Sequence, residues 1–198
     1  MDIILASASP RRREILENVN VKFTVQSSNI EEVILENEHP KDLVMRLAFE
    51  KCIDIANKNK NALVIGADTI VVLDNNILGK PKDEDHAYEM IKSLSNKKHQ
   101  VITGISLINL SLNKKVIDYV VSEVKFKDLS EETIRDYIKT KESLDKAGAY
   151  GIQGYGGLLV DSIKGDYFNI VGLPVSRISD LLKYNFNVNL FMEGDLSE

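Results

Sequence analysis

The nine residues LASASPRRR at 5–13 decide how the chain is read. Ile3, Ile4 and Leu5 make a short apolar run suited to a buried strand, and Ser9 is a favoured helix N-cap. Pro10 stands at the first helical position, where the missing N–H would have no partner anyway. A strand therefore feeds directly into a helix that starts at Ser9-Pro10. The hydroxyls of Ser7 and Ser9, the open amides of the first turn, and the guanidinium groups of Arg11 and Arg12 gather at that start, an arrangement that suits an anion, phosphate foremost. The plain alternative is a solvated basic start to a surface helix. Arginines in a first turn oppose the helix dipole by roughly 0.3–1 kcal/mol each, and a bound anion relieves that conflict.

The rest of the chain is long enough to bury a core around this junction. It has 198 residues, 43% of them hydrophobic, and no Pro-rich, Ser-rich or low-complexity linker, so one domain over 1–198 is expected. Thirty acidic and 25 basic residues give a net charge of -5 with the signs interspersed, which argues against a nucleic acid polymer or a membrane surface as partner. The lone Cys52 falls on an apolar helical stripe and reads as core rather than nucleophile. The apolar start is too short for a signal peptide, its arginines follow rather than precede it, and no uncharged stretch could span a bilayer; a cytoplasmic protein is expected. His39, His86 and His99 share no metal-ligand spacing, so any metal would need oxygen ligands.

Beyond the first helix, with Ile15, Leu16 and Val19 on one face, Val21 to Val25 reads as a strand and the acidic SSNIEE at 27–32 as a strand end or loop beside a cleft. Leu43, Val44, Leu47, Ala48, Cys52, Ile55 and Ala56 recur at helical spacing after Pro40. Lys51 lies on that same stripe, so it either snorkels along the surface or reaches into a polar cavity. ALVIGADTIVVLD at 62–74 is a buried strand pair or one bent strand, interrupted by Gly66, Ala67 and Asp68. A carboxylate there costs several kcal/mol unless it is paired, hydrogen-bonded or facing a cation; Asp68 is thus a structural cap, a metal ligand or a general base. Asp74, Asn75 and Asn76 make a turn, after which GKP at 79–81 carries Lys80 back towards the same carboxylate.

A helix from about Asp83 buries Ala87, Met90, Ile91 and Leu94; strands over 100–110 and 116–126 turn at Asn113-Lys114; and Ser130 caps a helix carrying Ile134, Tyr137 and Ile138. Five of the eleven glycines then fall within 148–157, too many for a stable helix. Such a loop serves tight turns or lets backbone approach a ligand closely, and it matches neither the P-loop nor the dinucleotide-binding fingerprint. A hairpin over 158–171, turning at Lys164-Gly165-Asp166, leads to a helix from Pro174 with Val175, Ile178, Leu181 and Leu182 inward, and EGDLSE at 193–198 is expected to fray. Strands neighbouring strands among helices imply an α/β chain with a mixed sheet flanked by helices.

Five motifs, LASASPRR at 5–12, GADT at 66–69, GKP at 79–81, DKAGAYGIQG at 145–154 and GDYFNIVGLP at 165–174, together resemble the Maf family of nucleoside triphosphate pyrophosphatases over nearly the whole chain. The resemblance implies a curved mixed α/β fold with two lobes around a deep cleft, related to the inosine triphosphate pyrophosphatases, and cleavage of a nucleoside triphosphate to the monophosphate and pyrophosphate. By matched position it implies phosphate-binding roles for Ser7, Arg11, Arg12, Lys51 and Lys80, and Asp68 as the catalytic proton acceptor. Glu32 and Asp68 would be ligands of a divalent cation, Mg²⁺ or Mn²⁺; Asn29 stands where some relatives carry an acidic residue. Arg11, Thr69 and Gln153 match the dTTP/UTP-selective branch. The oligomeric state stays open, a homodimer being one option. Two functions are in play: hydrolysis, as nucleotide-pool cleaning, and nucleotide binding without turnover in the control of division or septum formation. Carboxylates beside phosphate favour hydrolysis, because a pure binder of a polyanion gains nothing from them without a bridging cation.

Overall fold

Strand β1 (Ile3–Leu5) is buried at all three positions and gives way to helix α1 (Pro10–Asn18), whose N-cap is Ser9 with its side chain accepting from the amide of Arg12. The structure is a computed structural model that describes residues 1–35 and 37–193. Next come β2 (Thr24–Val25), α2 (Pro40–Lys58), β3 (Leu63–Leu73), β4 (Asn76–Leu78), α3 (Glu84–Leu94), β5 (Lys98–Asn109), β6 (Lys114–Phe126) and α4 (Glu131–Lys139). Two 3-10 turns, Ala147–Ala149 and Gly154–Leu159, precede β7 (Val160–Lys164), α5 (Tyr167–Val171), α6 (Val175–Phe186) and α7 (Leu190–Glu193). The strands form one seven-stranded sheet in the order β2-β1-β3-β5-β6-β7, with β4 on β3. β1 runs parallel to β2 and β3, whereas β3 with β4 and β6 with β7 are antiparallel, so the sheet is mixed as expected.

The chain divides into two compact units, one of Met1–Asp68, Thr103–Val120 and Gly172–Glu198, the other of Thr69–Ile102 and Val121–Val171. In the first, α2 covers β1 and β3: Ile4, Ala6, Cys52, Ile55, Ala56, Val64 and Ile108 share one apolar cluster. Cys52 is core as read, its Sγ lying 3.2 Å from the Val64 carbonyl oxygen, and burial pushes its thiol up to about 12. In the second, α3 and α4 pack Ala87, Met90, Ile91, Leu94, Ile134, Tyr137 and Ile138 against Val71, Val101, Val124 and Phe126. No described helix is long and apolar enough to cross a membrane.

Four readings are corrected. Gly66, Ala67 and Asp68 do not interrupt β3, which runs unbroken over eleven residues. The strand expected over Val21–Val25 pairs only at Thr24–Val25, and Val19 is the exposed C-cap of α1 rather than part of its inner face. The hairpin expected over 158–171 is half right: β7 pairs with β6, but the return arm is helix α5. Asp166 Oδ1 accepts from the amide of Phe168 at 2.7 Å, and the buried Asn169 amide donates to the Val101 carbonyl at 3.0 Å and to Ser122 Oγ at 2.9 Å, contacts that hold a helical turn where the apolar residues alone suggested a strand. Of the tail expected to fray, residues 194–198 lie outside the described residues.

Candidate active site

The site begins with strand periodicity. Alternate residues of a strand share a face, so Val64, Gly66 and Asp68 point the same way from β3. α2 lies on that face: a Cβ built on Gly66 would stand 2.6 Å from the Ala48 carbonyl oxygen and 2.7 Å from Cys52 Cβ. So close an approach brings Lys51, one residue before Cys52, over Asp68. Its Nζ donates to Asp68 Oδ1 at 2.6 Å and also lies 2.7 Å from Glu32 Oε1. Of the two fates open to Lys51, the structure takes the polar one; its side chain is 14% exposed and that of Asp68 10%.

Glu32 arrives on the irregular stretch that follows β2, and α2 secures that stretch at two points. Ser28 Oγ donates to Asp54 Oδ2 at 2.9 Å, and Arg46 reaches the Val33 carbonyl at 2.8 Å while forming a two-bond fork with Glu38 at 2.6 and 2.7 Å. The hydrogen bond from Arg46 holds the Glu38 carboxyl below its ordinary value. The sequence carries no local pattern that pairs Ser28 with Asp54 or Glu38 and Val33 with Arg46.

The arginines of α1 enter the same unit. Arg12 Nε donates to the Gly172 carbonyl at 2.8 Å and its terminal nitrogen to Ser7 Oγ at 3.2 Å; Ser7 Oγ also accepts from the amide of Ser9 at 3.2 Å. Burial pushes the Arg12 guanidinium down, Asp68 pulls it back up, Arg11 lowers it further and Glu32 raises it. The first unit thus brings together Ser7, Arg11, Arg12, Glu32, Lys51 and Asp68, all six of the positions singled out there. An arginine remains charged under any such shift, so the cluster alternates cations and carboxylates at short range.

Lys80, Thr69 and Gln153 belong to the second unit. Thr69 is half-buried and, one residue beyond Asp68, faces the other side of β3. Lys80 is exposed after β4, next to Gly79, whose carbonyl accepts from the amide of Gly148 at 3.0 Å. Lys80 therefore follows directly on a segment pinned to the glycine-rich stretch. Gln153 is half-buried within it, at the N-cap of the turn Gly154–Leu159.

For a metal, the fitting donors are Glu32 and Asp68: two carboxylate oxygens already flank one cationic atom, Lys51 Nζ, at 2.7 and 2.6 Å. Among the described residues no group of three or more His, Cys, Asp or Glu is placed to hold an ion. A pair of hard oxygen donors suits Mg²⁺ or Mn²⁺ completed by water and phosphate oxygens, rather than a cage made wholly of protein.

The chain is 69% identical over 191 residues to the dTTP/UTP pyrophosphatase of Clostridioides difficile (strain 630), covering 96% of this chain and 98% of that protein. It is 51% identical over 189 residues to the dTTP/UTP pyrophosphatase of Alkaliphilus oremlandii (strain OhILAs), covering 95% and 98%. Among solved structures, the Ham1 protein of Staphylococcus aureus superimposes with a TM-score of 0.50 over 81% of this chain and 80% of that one, at 14% identity, a likeness of fold alone. The Maf-like protein family model matches residues 2–185, and with that span and those identities the chain belongs to the Maf family.

Proposed function

We propose that this chain hydrolyses nucleoside triphosphates, dTTP and UTP before others, to the monophosphate and pyrophosphate, acting as one domain over 1–198 in the cytoplasm. The observation that carries the reading is the carboxylate pair of Asp68 and Glu32 closed on Lys51 beside Arg12. Arg11, Arg12, Lys51, Lys80 and the Ser7 hydroxyl bind and orient the triphosphate. Asp68 takes the proton of a water whose oxygen bonds to the α-phosphorus, and the bond from that phosphorus to the bridging oxygen breaks, releasing pyrophosphate. Arg12 is well suited to hold a phosphate still, because its hydrogen bonds to Gly172 and Ser7 fix the guanidinium plane before any ligand arrives. A divalent cation held by Glu32 and Asp68 would offset phosphate charge.

Base selection falls to Gln153 with Thr69 and Arg11. A glutamine amide offers one donor edge and one acceptor, which complements the carbonyl and N3–H of uracil or thymine; cytosine presents an unprotonated N3 and an amino group instead. Two curated relatives sharing half or more of their residues with this chain carry the name dTTP/UTP pyrophosphatase, which supports the pyrimidine reading. The deciding experiment is pyrophosphate release from UTP, dTTP, CTP and GTP with Mg²⁺ or Mn²⁺. UTP and dTTP turn over with the highest kcat/KM; equal values for all four remove the pyrimidine assignment, and no release from any removes the hydrolase reading in favour of nucleotide binding.

A further inference from the structure

A glutamine that could rotate freely would serve cytosine as well as uracil, so discrimination needs the residue to be held. We propose that Glu142 is the positioning residue for base recognition: its carboxylate caps the turn that follows Gln153 and fixes that residue's place in the glycine-rich loop. The inference rests on the reading in which Gln153 meets the base.

Gln153 is the N-cap of the 3-10 turn Gly154–Leu159, yet its own side chain makes no capping hydrogen bond. The open amides of that first turn are instead met from outside. Glu142 Oε2 accepts from the amide of Tyr155 at 2.9 Å and Oε1 from the amide of Gly156 at 3.1 Å. Both oxygens of one carboxylate are engaged by consecutive N–H groups, which are the groups a helix start leaves without internal partners. Bonds of this charge-assisted kind are roughly twice as strong as neutral ones.

The glycines record how tightly this cap is fitted. Gly154 has φ +72, and a Cβ there would stand 2.6 Å from Glu142 Oε2. A Cβ on Gly156 would stand 2.2 Å from the Gly151 carbonyl oxygen, so the chain returns on itself across the interval that holds Gln153. A second strap comes from the same residue's backbone: Lys146 Nζ donates to the Glu142 carbonyl at 2.6 Å, and its Cδ and Cε would lie 2.8 Å from a Cβ on Gly151. Glu142 thus holds both sides of the loop, through its carboxylate at 155–156 and through Lys146 at 151. In the sequence it is one more charge in the run KTKESLDK, with nothing to mark it.

A carboxylate is acceptor-only, whereas a carboxamide offers one acceptor and an NH₂ group. Glu142→Gln therefore keeps the length, keeps one of the two bonds through its carbonyl oxygen and sets donor against donor in place of the other. Glu142→Asp keeps the charge and is one methylene too short. The test measures kcat and KM for UTP, dTTP and CTP on wild type, Glu142→Gln, Glu142→Asp, Gln153→Ala and the double variant Glu142→Gln/Gln153→Ala. Each single variant is expected to lower the UTP-to-CTP ratio of kcat/KM by about tenfold, Glu142→Gln chiefly by raising KM for UTP, and the double variant to lose no more than Gln153→Ala alone. If Gln153→Ala flattens the preference while Glu142→Gln and Glu142→Asp slow every nucleotide by one common factor, Glu142 merely stabilises the fold; the inference is overturned and the role of Gln153 stands. If Gln153→Ala leaves the ratio unchanged, both fall together. Amide exchange on the wild-type protein needs no variant to fold: protected amides at Tyr155 and Gly156 are expected, and exchange there as fast as in an open chain overturns the cap.

Discussion

Lys51 Nζ and Asp68 Oδ1 lie 2.6 Å apart on a helix and a strand, with their side chains only 14% and 10% exposed. A pair so far out of water is held by mutual compensation, and removing one partner leaves the other charge stranded. Lys51→Met is therefore expected to lower unfolding stability by on the order of 3 kcal/mol. Asp68→Asn in the same background restores part of that loss, so urea denaturation of the two single variants and the double variant yields a coupling of at least about 1 kcal/mol. Strict additivity would mean that the pair contributes nothing beyond its separate groups.

Asp68→Asn by itself tests the chemistry. The amide keeps the size and an acceptor for Lys51, so the fold survives, but it cannot take a proton from water. Turnover with UTP is expected to fall by about 10²–10⁴-fold, with further loss from weaker cation binding. Retention of more than roughly a tenth of wild-type kcat would show that the proton goes elsewhere.

Arg11 and Arg12 share one helix turn, and Arg11 is among the groups that push the Arg12 guanidinium down. A triphosphate bound there would relieve that repulsion. UTP with Ca²⁺ in place of Mg²⁺ or Mn²⁺ is expected to raise the melting temperature, by about 2.7 kcal/mol of stability at one hundred times Kd. Arg12→Met is expected to shrink the ligand-induced shift; an unchanged shift would place the phosphates away from Arg12.

His99 offers a pH dependence independent of nucleotide. It is 2% exposed, its Nε2 lies 2.7 Å from the Tyr150 hydroxyl, and its ring meets Phe126 and Tyr150 edge to face at 5.1 and 5.4 Å. Burial pushes its pKa from 6.5 down to about 4. Between those values the unfolded chain binds a proton that the folded one does not, so this contribution is fully present above about pH 6.5 and is lost as pH falls towards 4. The loss amounts to about 3 kcal/mol. Urea midpoints measured from pH 7 to 4 should fall more steeply for wild type than for His99→Phe, and parallel curves would show that folding leaves the proton affinity of His99 unchanged.

What the sequence revealed and what it hid divide along one physical line. Ser9 capping α1, Ser130 capping α4 and the apolar stripes of α2, α3 and α6 depend on residues within a turn or two of one another, and they stand where spacing put them. The destination of Lys51 depends on which face of β3 lies beneath α2, a matter of packing that local pattern leaves open. Glu142 was invisible for a different reason: its partners are backbone amides at 155 and 156, which carry no residue signature. The misread arm at 167–171 shows apolar residues that suit either strand or helix, decided by the buried Asn169 amide reaching Val101 and Ser122.

That packing of α2 on β3 can itself be perturbed. Gly66 lies on the same face as Asp68, and a Cβ there would come 2.6 Å from a main-chain oxygen of α2 and 2.7 Å from Cys52 Cβ. Neither neighbour is the end of a flexible side chain, so Gly66→Ala can be accommodated only by lifting α2 from β3. The helix carries Lys51 with it, and the 2.6 Å contact to Asp68 lengthens. Overpacking of this kind costs typically about 1–3 kcal/mol, and a displacement near 1 Å in a catalytic group can cost on the order of 10²-fold in rate. Gly66→Ala is therefore expected to lose stability in that range and to lower kcat for UTP by more than about tenfold. Gly79→Ala is the stability control, because nothing lies within 4 Å of a Cβ built there and its midpoint should stay within about 0.5 kcal/mol of wild type. If Gly66→Ala proved as stable and as active as wild type, the close seating of α2 on β3 would not be what holds Lys51 over Asp68.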